Sequence, residues 1–247
     1  VLSAKGWVRA AKGHEVNAEE LNYRGGDEYF ASVRGRTNEL LSFVDSTGRS
    51  YSVTPHTLPS ARSQGEPLTG RLKPPEGATF VGVAMGAAKS RLLLASSAGY
   101  GFVGRLEDMV TKNKAGKAFL NVPKGGVALP PFVFDSSGEE DVSDAYVAAA
   151  TSAGHLLLFP LGELPEMSRG KGNKIISIPP ARVQSREEFM LAVQVLKGAD
   201  ALVIHSGKRH LTLKGDDLKH YRGERGRRGN KLPRGFQKVD RIAVERS

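Results

Sequence analysis

The 247-residue chain contains no cysteine, so disulfides and thiolate metal sites are excluded, and a reducing cytoplasm suits it. No apolar stretch reaches the roughly 18 residues of a membrane span, and no secretory leader is visible, so no membrane partner is expected. Acid is scarce: 26 Asp and Glu stand against 36 Lys and Arg, a net charge of +10. That excess points to a polyanionic partner. Nucleotide and catalytic signatures are missing too. The run GYGFVG, Gly99 to Gly104, is spelled like a dinucleotide loop, but no carboxylate follows at the distance a ribose needs. No kinase set, Walker motif or Gly-x-Ser-x-Gly elbow occurs either. The chain opens at Val1, without Met, directly on apolar-rich sequence and reads as a fragment of a longer polypeptide.

What is present is repetition. RLLLASSAGYGFVGRLEDMV, ELLSFVDSTGRSYSVTPHTLP, DAYVAAATSAGHLLLFPLGELP and DALVIHSGKRHLTLKGDDLK share one plan, and VLSAKGWVRAAKGHEV follows it loosely. Each has an apolar run, a small-polar turn ending in Gly, a second alternating run, then Leu or Met. The turn glycines Gly6, Gly48, Gly99, Gly154 and Gly207 are separated by 42, 51, 55 and 53 residues, the scale of propeller blades. Short β-favouring runs flanking Ser-Thr-Gly or Ser-Ala-Gly predict a β-hairpin in every unit. Further strands, FVGVAM and MLAVQVL, bring most units to about four short strands. Helical pattern is confined to Ser185–Phe189 and Glu107–Lys112.

Each unit also carries a segment rich in glycine and base, ending 17 to 22 residues after its turn glycine. These are Tyr23 to Gly26, Ala61 to Gly65, Lys112 to Lys117, Arg169 to Lys174 and Arg225 to Gly229. Equivalent loops of successive blades fall on one rim, so five of them predict an arc of positive potential. Glycine permits close backbone approach to a phosphate, and Lys and Arg neutralise it. The candidate polyanion-binding residues are Arg9, Lys12, Arg24, Arg34 and Arg36 in the first unit, Arg62 in the second, Lys112, Lys114 and Lys117 in the third, and Arg169, Lys171 and Lys174 in the fourth. The fifth adds Lys208, Arg209, Arg222, Arg225, Arg227, Arg228, Lys231 and Arg234. This distribution predicts a graded rim, firmest in the last blade and weakest in the second.

The stretches GWVRAAKGH, VDSTGRSY, LPSARSQGEPLTG, SSAGYGFV, SRGKGNKIISIP and GERGRRG, spanning residues 6 to 229, closely resemble the C-terminal domain of the A subunit of bacterial topoisomerase IV, within the gyrase A C-terminal domain superfamily. The resemblance implies an all-β fold, a five-bladed, propeller-like β-pinwheel of four-stranded repeats occupying residues 1–247 as one domain. It implies duplex DNA as the ligand, held and bent on the basic rim. The implied protein partners are the B subunit and, linking the domain to it, the rest of the A subunit. It implies no catalytic residue and no cofactor here, because cleavage, ATP and Mg belong to other parts of that enzyme. A cytoplasmic, chromosome-associated location follows from the same resemblance. The related gyrase domain carries a Gln-Arg-Arg-Gly-Gly-Lys-Gly box where this chain has Ala61 to Pro67, with one basic residue and an added acid, so gyrase-like wrapping is disfavoured.

Other residues offer less. His205 and His210 are five apart on a hairpin with no Cys or HExxH frame, and read as surface histidines rather than a metal site. Glu139, Glu140, Asp141 and Asp144 read as a solvated acidic loop, and Trp7 as core rather than a stacking platform. Rival functions are a propeller serving as a protein-interaction platform and, more remotely, a propeller enzyme. Charge alone does not separate DNA from RNA.

Overall fold

The computed structural model describes residues 1–247 and is almost wholly β. In chain order the first strands are β1 (Leu2–Ser3), β2 (Trp7–Val8), β3 (Tyr29–Ala31), β4 (Leu40–Asp45), β5 (Arg49–Ser52) and β6 (Glu66–Pro67). There follow β7 (Phe80–Gly86), β8 (Arg91–Ala95), β9 (Tyr100–Arg105), β10 (Lys117–Ala118), β11 (Phe132–Asp135), β12 (Tyr146–Thr151) and β13 (His155–Pro160). The last are β14 (Asn173–Lys174), β15 (Met190–Leu196), β16 (Ala201–Ser206), β17 (Arg209–Leu213), β18 (Asn230–Lys231) and β19 (Arg241–Glu245). Two short helices, α1 (Pro180–Gln184) and α2 (Asp216–Lys219), interrupt the connections. The helical reading of Ser185–Phe189 is thus displaced: Pro179-Pro180 starts the helix earlier, as proline in a first turn does, and it ends at Gln184. A 3-10 turn at Leu106–Met109 overlaps the second predicted helix, and α2 carried no periodic signal.

Five sheets result, ordered β3-β1-β2-β6, β10-β5-β4-β7, β11-β8-β9-β14, β15-β12-β13-β18 and β17-β16-β19. Every hairpin glycine has positive φ, from +58° at Gly207 to +90° at Gly48, as the turns require. Gly99 is one of them, its N–H donating to Ser96 O at 3.0 Å, so GYGFVG is a turn and the second strand of a hairpin. FVGVAM and MLAVQVL are strands, yet they pair backward onto the preceding hairpins, β7 on β4 and β15 on β12.

The fourth strand of each of the first four sheets comes from the next unit. β6 leaves the second unit to lie on β2, β10 reaches back to β5, β14 to β9 and β18 to β13. The fifth sheet receives no such strand, so it has three and β17 keeps a bare edge. Third strands β15 and β19 of neighbouring sheets lie against one another, as radial sheets do near their axis, so the donated strands form the circumference.

Strands in the middle of the array are buried on both faces, which explains their unbroken apolar runs. In β12, Val147 and Ala149 enter the core shared with the third blade, while Ala148 and Ala150 enter the core shared with the fifth. In β8, Leu93 and Ala95 face the fourth blade while Leu92 and Leu94 face the second. Leu2 and Val8 meet Leu41 and Phe43 between the first and second blades. Four apolar clusters thus serve the four junctions of consecutive blades, and none joins the fifth to the first. No hydrogen bond links residues 1–39 to residues 197–247 either.

Candidate nucleic-acid interface

The donated strands decide where the basic loops lie. In four units the loop ends in a positive-φ glycine, Gly65, Gly116, Gly172 or Gly229, and the two residues after it form the donated strand. A Cβ on Gly172 would stand 2.0 Å from Gly101 O, so only glycine lets the loop settle on the neighbouring strand. The same holds for Gly65 against Val8 O at 2.4 Å and Gly229 against Leu156 O at 2.5 Å. These glycines therefore serve a close approach to protein backbone, which corrects the phosphate role expected of them.

Each loop consequently sits on the edge of the blade before its own. Arg62 lies on the first blade, and Lys112 and Lys114 on the second. Arg169, Lys171 and Lys174 lie on the third, and Arg222, Arg225, Arg227 and Lys231 on the fourth. Apart from half-buried Arg225, all of these are exposed. The fifth blade offers Lys208 and Arg209 on its own bare hairpin. The densest charge is thus on the circumference of the fourth blade, although it belongs to the fifth repeat.

Adjacent loops are stitched together. Arg225 Nη1 donates to Lys174 O at 2.8 Å, Gly226 N–H to Ile175 O at 2.9 Å, and Ser177 N–H to Arg227 O at 2.9 Å. Lys73, exposed and not foreseen, donates its N–H to Lys114 O at 2.8 Å and adds a cation beside the third loop. In the second and third blades the residue after the hairpin glycine holds the arriving loop. Tyr100 lies under Lys171, whose Nζ is 4.4 Å from the ring centroid, and Arg49 donates to Ala115 O at 2.8 Å and Gly116 O at 3.0 Å.

Two expected cations are turned inward. Arg9 is 3% exposed and donates to Ser63 O and Asn22 O, both at 2.8 Å, so it fastens the second unit's loop to the first blade. Arg228 forks onto Glu188, a carboxylate with no exposure, at 2.7 and 2.6 Å. Burial opposes ionisation of Glu188, but the Arg228 fork outweighs it and holds the carboxyl below its ordinary range. In one case the guanidinium is itself buried and must find acceptors, and in the other a buried carboxylate must be satisfied; an Arg fork meets both needs. Half-buried Lys117 donates to Asp108 O at 2.7 Å and is largely spent.

The first unit departs most from the expected register. Its Arg24 to Asp27 turn runs straight into β3 instead of docking elsewhere, with Asp27 N–H donating to Arg24 O at 2.9 Å. Arg24 Cζ lies 3.9 Å above the ring of Trp7, which is half-buried and outside every apolar cluster, so Trp7 is a cation-covered edge rather than core. Lys12, Arg34 and Arg36 are exposed but lie on connections around the inner strand β3. Arg234 is exposed beyond β18. His205 and His210 oppose each other across β16 and β17 with centroids 6.3 Å apart, and no three His, Asp or Glu side chains cluster as a metal would need. Glu140 takes Lys197 Nζ at 2.8 Å, tying the acidic loop to the third and fourth blades. Near the fifth hairpin, Lys238 joins Lys208 and Arg209 around a cleft of about 380 Å³ that also holds Asp240.

A ring of radial sheets whose outermost strands are exchanged between neighbours is the β-propeller of the gyrase A C-terminal class, and the family model for "DNA gyrase C-terminal domain, beta-propeller" matches residues 145–194. Among solved structures, the E. coli ParC C-terminal domain superposes with a TM-score of 0.85 at 48% identity, covering 99% of this chain and 96% of that one. A gyrase A C-terminal domain shares the fold at a TM-score of 0.69 and 14% identity. The A subunit of DNA topoisomerase 4 from Pseudomonas aeruginosa is 54% identical over 245 residues, and that from E. coli K12 is 49% identical over 245. The chain covers 32% of the length of each. It belongs to the family of C-terminal domains of topoisomerase IV A subunits.

Proposed function

We propose that the chain is a duplex DNA-binding and DNA-bending domain that contacts phosphates without reading sequence. The supporting observation is the run of exposed cations that strand donation sets along the edges of successive blades, densest on the third and fourth. No recognition helix is available for base readout, since α1 and α2 span only five and four residues. A duplex following a curved rim must bend, and phosphate neutralisation along the inner side of the curve supplies the favourable term. Within a type IIA topoisomerase this domain would steer substrate choice. Strand cleavage, ATP and Mg chemistry would belong to the B subunit together with the remainder of the A subunit.

Binding of the chain to linear duplexes of unrelated sequence across a salt series tests the reading. Neutralising about five phosphates gives a log–log slope near −4 to −5. A slope near zero, tight binding to one sequence alone, or nicking of DNA by the chain itself would refute it.

A further inference from the structure

Glu188 lies between α1 and β15 in the fourth unit, far along the sequence from the fifth unit's basic loop, and has no exposure. Its two oxygens accept from both terminal nitrogens of Arg228, and Arg182 Nε approaches the same carboxylate at 3.4 Å. Arg228 Nη1 also donates to Ser177 O at 3.1 Å. Around this point the backbone of Gly226 and Arg227 is bound to Ile175 and Ser177, in the segment that follows the fourth unit's donated strand, and the Arg225 side chain donates to Lys174 O at that strand's end. Arg228, held by the buried carboxylate, thus joins the loop on the fourth blade's edge to the segment that follows the strand seated on the third. The hydroxyl of buried Thr151 also supports the carboxylate, while the neighbouring His155 Nδ1 is buried without a partner.

An inward Arg228 leaves exposed Arg222, Arg227 and Lys231 on the outside of the same loop, Arg227 paired there with Glu224 at 3.1 Å. A bidentate fork fixes both position and orientation, which a single charged contact does not. We propose that Glu188 is a positioning residue for the polyanion surface, its buried carboxylate fixing the loop of residues 222–231 so that its outward cations meet phosphates in register. This rests on the DNA-binding reading above.

The inference inverts the expectation from charge. Glu188→Gln raises the net charge from +10 to +11, so a diffuse cloud of charge would bind DNA at least as tightly. With the clasp released, at least one phosphate contact is lost. The salt slope becomes shallower by about one, and binding at about 0.1 M salt weakens roughly eightfold. Arg228→Lys keeps the charge but loses the fork and should behave alike. Hydrogen exchange of the amides of residues 225–229, measured on both variants without DNA, reads the clasp separately, and a retained far-ultraviolet spectrum shows that each has folded.

Faster exchange in this loop together with a shallower slope supports the proposal. Unchanged exchange overturns it, because Glu188 would then not hold the loop. Faster exchange with unchanged or tighter binding also overturns it, because the held loop would not be where DNA is gripped. Failure of the unaltered chain to bind duplex at all refutes the DNA reading itself, independently of the variants.

Discussion

Single residues carry the exchange of strands. Gly172, with φ +78° and Gly101 O where a Cβ would be, has no substitute, whereas Gly162 has open space around it. Gly172→Ala should destabilise the chain by about 2 kcal/mol or more, the cost of a strained backbone plus a displaced strand, while Gly162→Ala stays within about 0.5 kcal/mol. Urea unfolding of the two variants compares them, and equal midpoints would contradict this role. Asp135 is a second fixed point. Burial opposes its ionisation, but Arg91 Nε at 2.6 Å, Gly138 N–H at 2.9 Å and the Ser137 hydroxyl at 3.0 Å overcome that and depress its carboxyl. A depressed carboxylate contributes stability above the unfolded value of 3.8, and that contribution is lost as pH falls through the folded value. Stability should hold from neutral pH to about pH 5 and decline below about pH 4. Asp135→Asn should flatten part of that decline, and an unaltered pH slope would remove Asp135 from the explanation.

At the level of elements, hairpins were legible and strand exchange was not. A hairpin is local: β-favouring runs flank a turn whose glycine needs positive φ, and all five turn glycines were visible on that basis. A donated strand is two residues long, often polar, and pairs far away in sequence, as Asn173–Lys174 does with Tyr100–Gly101. No periodicity marks it, so the sequence alone places the basic loops on their own blades rather than on the preceding ones. The inward turns of Arg9 and Arg228 escaped notice for a related reason, since each stands beside basic residues of identical type that stay outside. The bare edge of β17 has a measurable consequence. Its residues, Arg209 to Leu213, should exchange their outward amide hydrogens faster than the residues of β13, whose edge is covered by β18 and by the Leu158–Arg222 bridge. Equal protection of the two strands would mean that another segment covers β17.

Across the whole molecule, the seam between first and fifth blades follows from one shortened repeat. Units two to five place 9 to 15 residues between donated strand and third strand, and there sit core residues such as Leu68 and Leu72, Phe119 and Leu120, Ile175 and Ile176, and Leu232. The first unit lacks that segment and runs from its turn directly into β3, so it neither donates a strand nor fills a junction. The 42-residue spacing of Gly6 and Gly48, against 51 to 55 elsewhere, was the sequence's record of this. The same exchange sets the direction of the charge gradient, from Arg62 alone on the first blade to the crowded fourth. Charge reversal in equal pairs tests that gradient most directly: Arg222→Glu with Lys231→Glu on the fourth blade's edge, against Arg34→Glu with Arg36→Glu near the inner strand of the first. Salt series of duplex binding should show the first pair shallower in slope by about two and the second nearly unchanged. Equal losses from the two pairs would mean that charge acts as a diffuse cloud, and the rim built by strand exchange would not be the DNA-binding surface.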